Sequence, residues 1–507
     1  MPSLAVSPRN IPLARLGAGE DVAALLGLAI VALTAIQQAT LGINPDTSWL
    51  ITVSERVLAG DRLYVDVFEL NPPASVLLTM PALALSTLLP FRPEALLVAM
   101  VIALAIGSTR LFLRALHRAG LLTAEAAPWL RLATLFSLLL LVGFNFAQRE
   151  HVALIACLPW LGLMAVRASG AVPDRSLLLL AGLGAGLTAA IKPHFLLVLL
   201  LPLAAAAWRR RSPACLIAPE TVVLGLVLLA YLLGTFAFTP EFWTVAVPLV
   251  SDGYLQHRQP LFELLTSVPA LLSLTALGAA ATIGGRSLVR GPVLMPLLGA
   301  LAFEAAVLVQ AKGFSNHQYP VLALGLVALG LALAAKAERG REARIGLLLW
   351  LVLAGGGALA ASRMYLYPEV AALIRQQAPP RPTMIMAGSN LTVAHPLTRW
   401  VDGRWVGTRA SLWASYAARE LLAGDPPEPR RTKLRAQLTE DRRLFLADVA
   451  RERPDVILVW EQEGPLGMEP GTDLVAALGP YRLAGSAQGV KVLVRSGSAE
   501  ARRAPSG

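Results

Sequence analysis

The sequence predicts an all-α polytopic membrane bundle followed by a small C-terminal α/β extracytoplasmic domain. Three observations predict it. Of the 507 residues, 55% are hydrophobic and only 15% are charged, and the mean hydropathy is +0.60. Soluble chains carry roughly 25% charged residues, and apolar surface on this scale needs lipid around it. The apolar residues gather in runs near the roughly 20 residues that cross a bilayer as a helix. After residue 362 the pattern changes to charged helical stretches and short strand-like runs.

Eleven runs read as crossings: 21–42, 94–116, 130–147, 152–168, 177–191, 194–208, 215–238, 263–283, 292–311, 318–335 and 344–362. The run from Val22 to Leu41 is too long for the apolar stretch of a cleavable signal and reads as the first crossing. Segment 73–90 is apolar too, and either crosses or lies at the interface as a re-entrant helix. Charge decides. If 73–90 does not cross, one side collects Arg9 and Arg15, Arg118 and Arg131, Arg175, Arg209 to Arg211, Arg286 and Arg290, and Lys336, Arg339, Arg341 and Arg344. Basic residues concentrate on the cytoplasmic side of membrane proteins. The reading is therefore 11 transmembrane helices plus an interfacial helix in a plasma (bacterial inner) membrane. Residues 1–20 are a cytoplasmic N-terminus and 21–362 the transmembrane domain. Outer loop 43–93 and the soluble domain 363–507 face the periplasm or exterior.

The net charge of +11 is thus an orientation signal, and no nucleic-acid partner is expected. Cys157 and Cys215 lie in or beside apolar runs, which argues against a disulfide framework. In the C-terminal domain, Thr383–Met386, Val456–Trp460 and Val490–Arg495 read as strands, the stretch from Arg430 to Arg453 as helix, and Asp425–Arg431 as a loop. Trp400, Trp405, Trp413 and Tyr416 stand near Arg399, Arg404 and Arg409. They either stack on an acceptor sugar or form the domain's own core, and the core reading is favoured.

Ionisable residues at the outer ends of membrane helices are costly and often functional. Five places carry them. The loop after the first helix contains Asp46, which follows Pro45 and has a plain reading as a helix N-cap, and then Asp61, Asp66 and Glu69. Gln148-Arg149-Glu150-His151 concentrates four polar residues between two apolar runs. Lys192-Pro193-His194 ends a helix, where a lysine can also snorkel. Lys312 begins a stretch through His317 and Gln318 to Tyr319-Pro320. Loop 239–262 holds Glu241, Trp243, Asp252, His257 and Arg258 and reads as a lid or a connector. Four of the chain's 6 histidines fall in these places. No HExxH or similar spacing accompanies them, so no metal site is assigned; a divalent metal is possible but not indicated, and no cofactor is required. Arg149, Lys192 and Lys312 near membrane depth suit a lipid phosphate.

Taken in order, these residues resemble the C-type (GT-C) membrane glycosyltransferases, in the branch containing protein O-mannosyltransferases and lipid A aminoarabinose transferases. The resemblance covers most of 21–335. It rests on Asp46, the amphipathic stretch after it, Ala59-Gly60-Asp61-Arg62-Leu63-Tyr64-Val65-Asp66, and Asn71-Pro72-Pro73. It continues with the helix from Gly184 to Lys192 and the segment from Lys312 to Tyr319-Pro320. The chain departs from the family at Thr47, where a second acidic residue often stands, and at Gln148-Arg149-Glu150-His151, where the later site usually carries an Asp.

The resemblance implies a glycosyltransferase using a polyprenyl-phosphate sugar donor and a glycan, lipid or protein acceptor at the outer membrane face. Asp46 would be the general base of an inverting transfer, with Arg149, Lys192 and Lys312 on the donor phosphate. Glu150, His151, His194, His317, Asp66 and Glu69 are substrate-orienting candidates. The alternatives are a lipid-linked glycan ligase or polymerase, which should depend on a large late loop, and a small-molecule or lipid transporter. A transporter should show repeated halves with broken helices at the midplane, and the sequence shows no evident repeat.

Overall fold

A computed structural model describes residues 13–252, 254–256, 258–286, 288, 292–336, 340–361, 367–463 and 478–496, with side chains from residue 20 onward. Arg9, His257, Arg290 and Arg339 lie outside these residues, as does the Arg15 side chain.

Six helices are long and apolar enough to cross a membrane: Glu20–Leu41, Pro93–Arg118, Arg149–Ser169, Pro219–Phe238, Ser315–Ala334 and Gly340–Ala361. Shorter apolar helices stand among them, including Ala127–Leu139, Arg175–Ile191, Val268–Gly284 and Leu294–Gln310. The chain is a multi-pass membrane protein. A helix apolar all round belongs in the middle of a bundle, and Arg149–Ser169 and Ser315–Ala334 are buried along nearly their whole length. Outer helices instead turn leucines outward, such as Leu226 and Leu233 of Pro219–Phe238 and Leu348 and Leu351 of Gly340–Ala361.

Small residues set how closely the bundle packs, because without a side chain two helix backbones can approach. A Cβ on Gly184 would stand 2.3 Å from the Ala156 carbonyl oxygen, and Cβ atoms on Gly182 and Gly186 would run into Val223 and Val227. Helix Arg175–Ile191 is thereby wedged between Arg149–Ser169 and Pro219–Phe238.

Several boundaries differ from the sequence reading. Segment 73–90 forms two short helices, Ala74–Leu77 and Met80–Ser86, both well below crossing length. The first helix begins by Leu13, inside the segment read as an N-terminal tail. Run 130–147 is helical only over Ala127–Leu139 and then tightens into a 3₁₀ turn at Gly143–Asn145. Run 263–283 breaks at Ser267 into Leu261–Thr266 and Val268–Gly284, where Pro269 sets the first turn of the second helix.

After the bundle comes a five-stranded mixed sheet in the order β2-β1-β3-β5-β4. Its strands are β1 (Thr383–Ala387), β2 (Arg404–Trp405), β3 (Val456–Trp460), β4 (Tyr481–Ala487) and β5 (Val490–Arg495). β1 pairs in parallel with β2 and β3, and β5 runs antiparallel to β3 and β4. β1, β3 and β5 lie where the short strand-like runs place them. β2 has two residues, and β4 contains Gly485 and buries only Tyr481, so neither shows a strand pattern. The sheet does not complete a core alone: Trp49, Leu50 and Val53 of helix Pro45–Leu58, with Val67 and Val76, pack in one cluster with Met384, Ile457 and Val492. Trp405 is buried there and Trp413 stacks on Phe68. The aromatics of this layer are thus mainly packing residues, with Tyr416 exposed.

The close approach at Gly184 gives a stability test. Gly184→Ala forces a methyl group against backbone that cannot rotate away, and overpacking of this kind costs about 1–3 kcal/mol. The variant should unfold at lower temperature than wild type in a detergent melt. Ala substitution at Gly234, where nothing lies within 4 Å of the added methyl and Ala favours the helix, should not lower the melt.

Candidate functional site

Both central helices begin at the same end of the bundle, and their first turns carry the site. Arg149 and Glu150 open one helix and Asn316 and His317 lie in the first turn of the other. Lys192 sits where helix Arg175–Ile191 stops, in extended backbone before Pro193. Proline cannot continue the helix hydrogen bonding and biases the residue before it toward extended backbone. Helix Pro45–Leu58 brings Asp46 in its first turn. Its N-cap is Asn44, whose side-chain oxygen accepts the Asp46 backbone N–H at 2.9 Å, while its amide donates to the Phe144 carbonyl at 3.0 Å. Asp46 is therefore not the cap, and its carboxylate is directed elsewhere.

Arg149, only 7% exposed, lies between two carboxylates: Nη2 is 3.8 Å from Asp46 Oδ2 and Nη1 is 3.6 Å from Glu69 Oε1. Glu69 is fixed by Trp49 Nε1, which donates to Oε2 at 2.6 Å, and by the backbone and side-chain amides of Asn71 on Oε1. Beside this group Lys192 Nζ donates to Glu150 Oε1 at 2.5 Å and reaches Gln310 Oε1 at 3.4 Å. Asn316 donates to Glu150 Oε2 at 3.0 Å, and His317 Nε2 lies 3.5 Å from Oε1. Lys192 is buried and paired, so it does not snorkel. The Asp46 side chain keeps 38% of its surface, which makes it the open member of a buried charge cluster. Burial raises its pKa above the ordinary carboxylate value. The Arg149 charge opposes that rise, Glu150 adds to it, and Lys192 opposes it.

The structure thus gathers Asp46, Glu69, Arg149, Glu150, Lys192 and His317, with His194 at the rim under the electrostatic influence of Lys192 and Glu150. Two other candidates are taken up by local contacts. His151 accepts the Ala147 backbone N–H on Nδ1 at 3.0 Å and has Nε2 2.7 Å from the Leu138 carbonyl, so both ring nitrogens serve the fold and none is left to orient a substrate. Asp66 is exposed and accepts the Arg62 backbone N–H, a local turn contact. Lys312 sits in the loop before Ser315–Ala334, where the Gln259 backbone N–H meets the Ala311 carbonyl. Burial and the nearby Arg258 lower its pKa to about 8. Asn316, Gln310, Trp49 and Asn71 belong to the site and carry no charge that would have marked them in the sequence. Among the described residues no three His, Cys, Asp or Glu side chains converge as a metal shell. Further along the Asp46 helix, a cavity of about 370 Å³ opens between Thr52, Glu55 and Arg56 and the sheet layer's Arg399 and Trp405.

No family model and no curated protein sequence matches the chain. Solved structures do. ArnT from Cupriavidus metallidurans bound to undecaprenyl phosphate superposes with a TM-score of 0.58 at 15% identity, over 94% of this chain and 98% of that one. The chain has a GT-C glycosyltransferase fold. ArnT in the apo state gives a TM-score of 0.54 at 14% identity, over 93% and 97% of the two chains. The mycobacterial arabinofuranosyltransferase AftD aligns with 97% of this chain but 42% of its own length, at 16% identity and a TM-score of 0.45.

Removing one member of a buried ion pair leaves the other charge stranded, at about 3–5 kcal/mol. Glu150→Ala should therefore lower the melting temperature sharply. Glu150→Gln, which keeps an acceptor for Lys192, should lose markedly less. Equal melts for the two would mean that Lys192 does not depend on the Glu150 carboxylate.

Proposed function

We propose that the protein transfers a sugar from a polyprenyl-phosphate donor to a hydroxyl acceptor at the outer face of the membrane, with inversion. The observation that carries this reading is the convergence of Asp46, Arg149 and Lys192 at one end of two buried helices, in the GT-C fold that ArnT shows with undecaprenyl phosphate bound.

The charges fit the reaction. Polyprenyl phosphate leaves as an anion at neutral pH, so it needs charge stabilisation rather than a proton. Arg149 supplies a planar guanidinium at a helix N-terminus, where the helix dipole also favours an anion. An ammonium has three donors, and the contacts of Lys192 with Glu150 and Gln310 leave one for a phosphate oxygen. Asp46 takes the proton of the acceptor hydroxyl as its oxygen attacks the sugar's anomeric carbon. The carbon–oxygen bond to phosphate breaks, and its electron pair leaves with the polyprenyl phosphate. Displacement from the opposite face inverts the configuration.

Geometry supports the outer placement. Arg149 and Arg167 lie at opposite ends of one 21-residue helix, about 27 Å apart at 1.5 Å per residue, close to the roughly 30 Å hydrocarbon thickness. The basic turn Arg209–Arg211 follows a helix that begins just after Lys192 and so lies at the Arg167 end, the side basic loops prefer. We accordingly place the N-terminus and basic turns in the cytoplasm. The first loop and the sheet layer lie outside a bacterial inner membrane, with 11 crossings, the shorter apolar helices included.

The test is transfer of radiolabelled sugar from a panel of polyprenyl-phosphate sugars in membranes. Asp46→Asn should abolish transfer while the protein, with Glu69 still beside Arg149, stays folded, and retained transfer would exclude Asp46 as the base. Arg149→Lys keeps the charge but loses the fork, and should lower kcat/KM about 10²–10³-fold, the usual effect of deleting one preorganised donor. A base works only when deprotonated, and burial raises the Asp46 pKa. Activity should therefore fall on acidification with a midpoint above the usual carboxylate value of about 3.9. A midpoint at or below that value would contradict the assignment.

A further inference from the structure

We infer that Glu69, pinned by Trp49, is a positioning residue that holds Arg149 midway between two carboxylates and so keeps Asp46 available as a base. The catalytic part of this statement rests on the function proposed above; the electrostatic part does not.

Arg149 stands 3.6 Å from Glu69 and 3.8 Å from Asp46, beyond close ion-pair contact with either. A guanidinium fork that closed on Asp46 would make a bidentate pair and hold its carboxylate ionised and unreactive. Glu69 competes for the same fork. It cannot close on Arg149 either, because Trp49 draws one of its oxygens away at 2.6 Å and Asn71 occupies the other. Trp49 in turn has little freedom. Its ring centroid is 4.7 Å from that of His395, which is 4.6 Å from Trp405, and the preceding Ser48 hydroxyl donates to the His395 carbonyl at 2.6 Å. Burial lowers the His395 pKa to about 3, so this stack stays neutral through the working range. Contact therefore runs from the sheet layer through Trp49 and Glu69 to Arg149 and Asp46. The other charges that act on Asp46 are Glu150 and Lys192, which are paired with each other.

Two conservative variants move Asp46 in opposite directions. Glu69→Gln keeps an acceptor for Trp49 but removes the competing charge. The Arg149 fork then has one carboxylate fewer to share, and the Asp46 deprotonation midpoint should fall by about one pH unit, the lower range for one added opposite charge. Trp49→Phe keeps the ring stack but removes the N–H. Glu69 is then released toward Arg149, draws it from Asp46, and the Asp46 midpoint should rise.

The experiment is an infrared titration of the detergent-solubilised full chain, following the protonated-carboxyl band that disappears in Asp46→Asn. It is run on wild type, Glu69→Gln and Trp49→Phe. Opposite shifts support the inference. Unmoved midpoints, or shifts of the same sign, overturn it. The same proteins are then assayed for sugar transfer, where the acid limb of the rate profile should follow the infrared midpoints in both variants. An inactive wild type with opposite infrared shifts would overturn the proposed function and leave the electrostatic arrangement standing. An active wild type with unmoved infrared midpoints would do the reverse.

Discussion

A buried guanidinium is the constraint around which this site is built. Arg149 is taken out of water at the start of a helix that is itself the centre of the bundle, and an isolated charge in that position would cost several kcal/mol. Carboxylates must therefore come to it. One arrives on the helix after the first crossing as Asp46, another at the end of the same loop as Glu69. The first loop consequently folds back over the bundle instead of extending away from it. Lys192 imposes the same demand on its own side and is answered by Glu150, with Asn316 and Gln310 supplying the remaining polar contacts. What looks like a list of catalytic candidates is first an electrostatic solution, in which Asp46 is the member left partly open.

The organisation of the chain was largely legible in its sequence. Apolar run length marks membrane helices because the hydrocarbon thickness is fixed, and the change after residue 362 marks the sheet layer. Strands β1, β3 and β5 have apolar runs that fill a core, so they stand out. β4 does not, because only its pairing to β5 makes it a strand. The helix ends were less visible: Pro269 and the turn at Gly143–Asn145 interrupt apolar runs that composition alone reads as continuous.

The site divided in the same way. Charge out of place in an apolar chain is a strong signal, and it led to Asp46, Arg149, Glu150, Lys192 and His317. It led equally to His151 and Asp66, which local contacts take up, because the sequence shows that a polar group is present but not which contacts will claim it. Asn316, Gln310, Trp49 and Asn71 were missed for the converse reason. They are neutral, and their importance comes from the buried carboxylates and ammonium they touch.

The core shared by the first loop and the sheet has a consequence for biosynthesis. Ser48 bonds to His395 across 347 residues, so the Asp46 helix meets its final neighbours only when the end of the chain has been made. Every membrane helix after the first is synthesised in between. During that interval Trp49, Leu50 and Val53 have no sheet to cover them. The packing around the Asp46 helix is thus completed last, and loop closure over such a separation is slow. A ribosome that stops short of residue 383 leaves a bundle that can insert but whose first loop stays uncovered, an apolar flag by which quality control can recognise an unfinished chain.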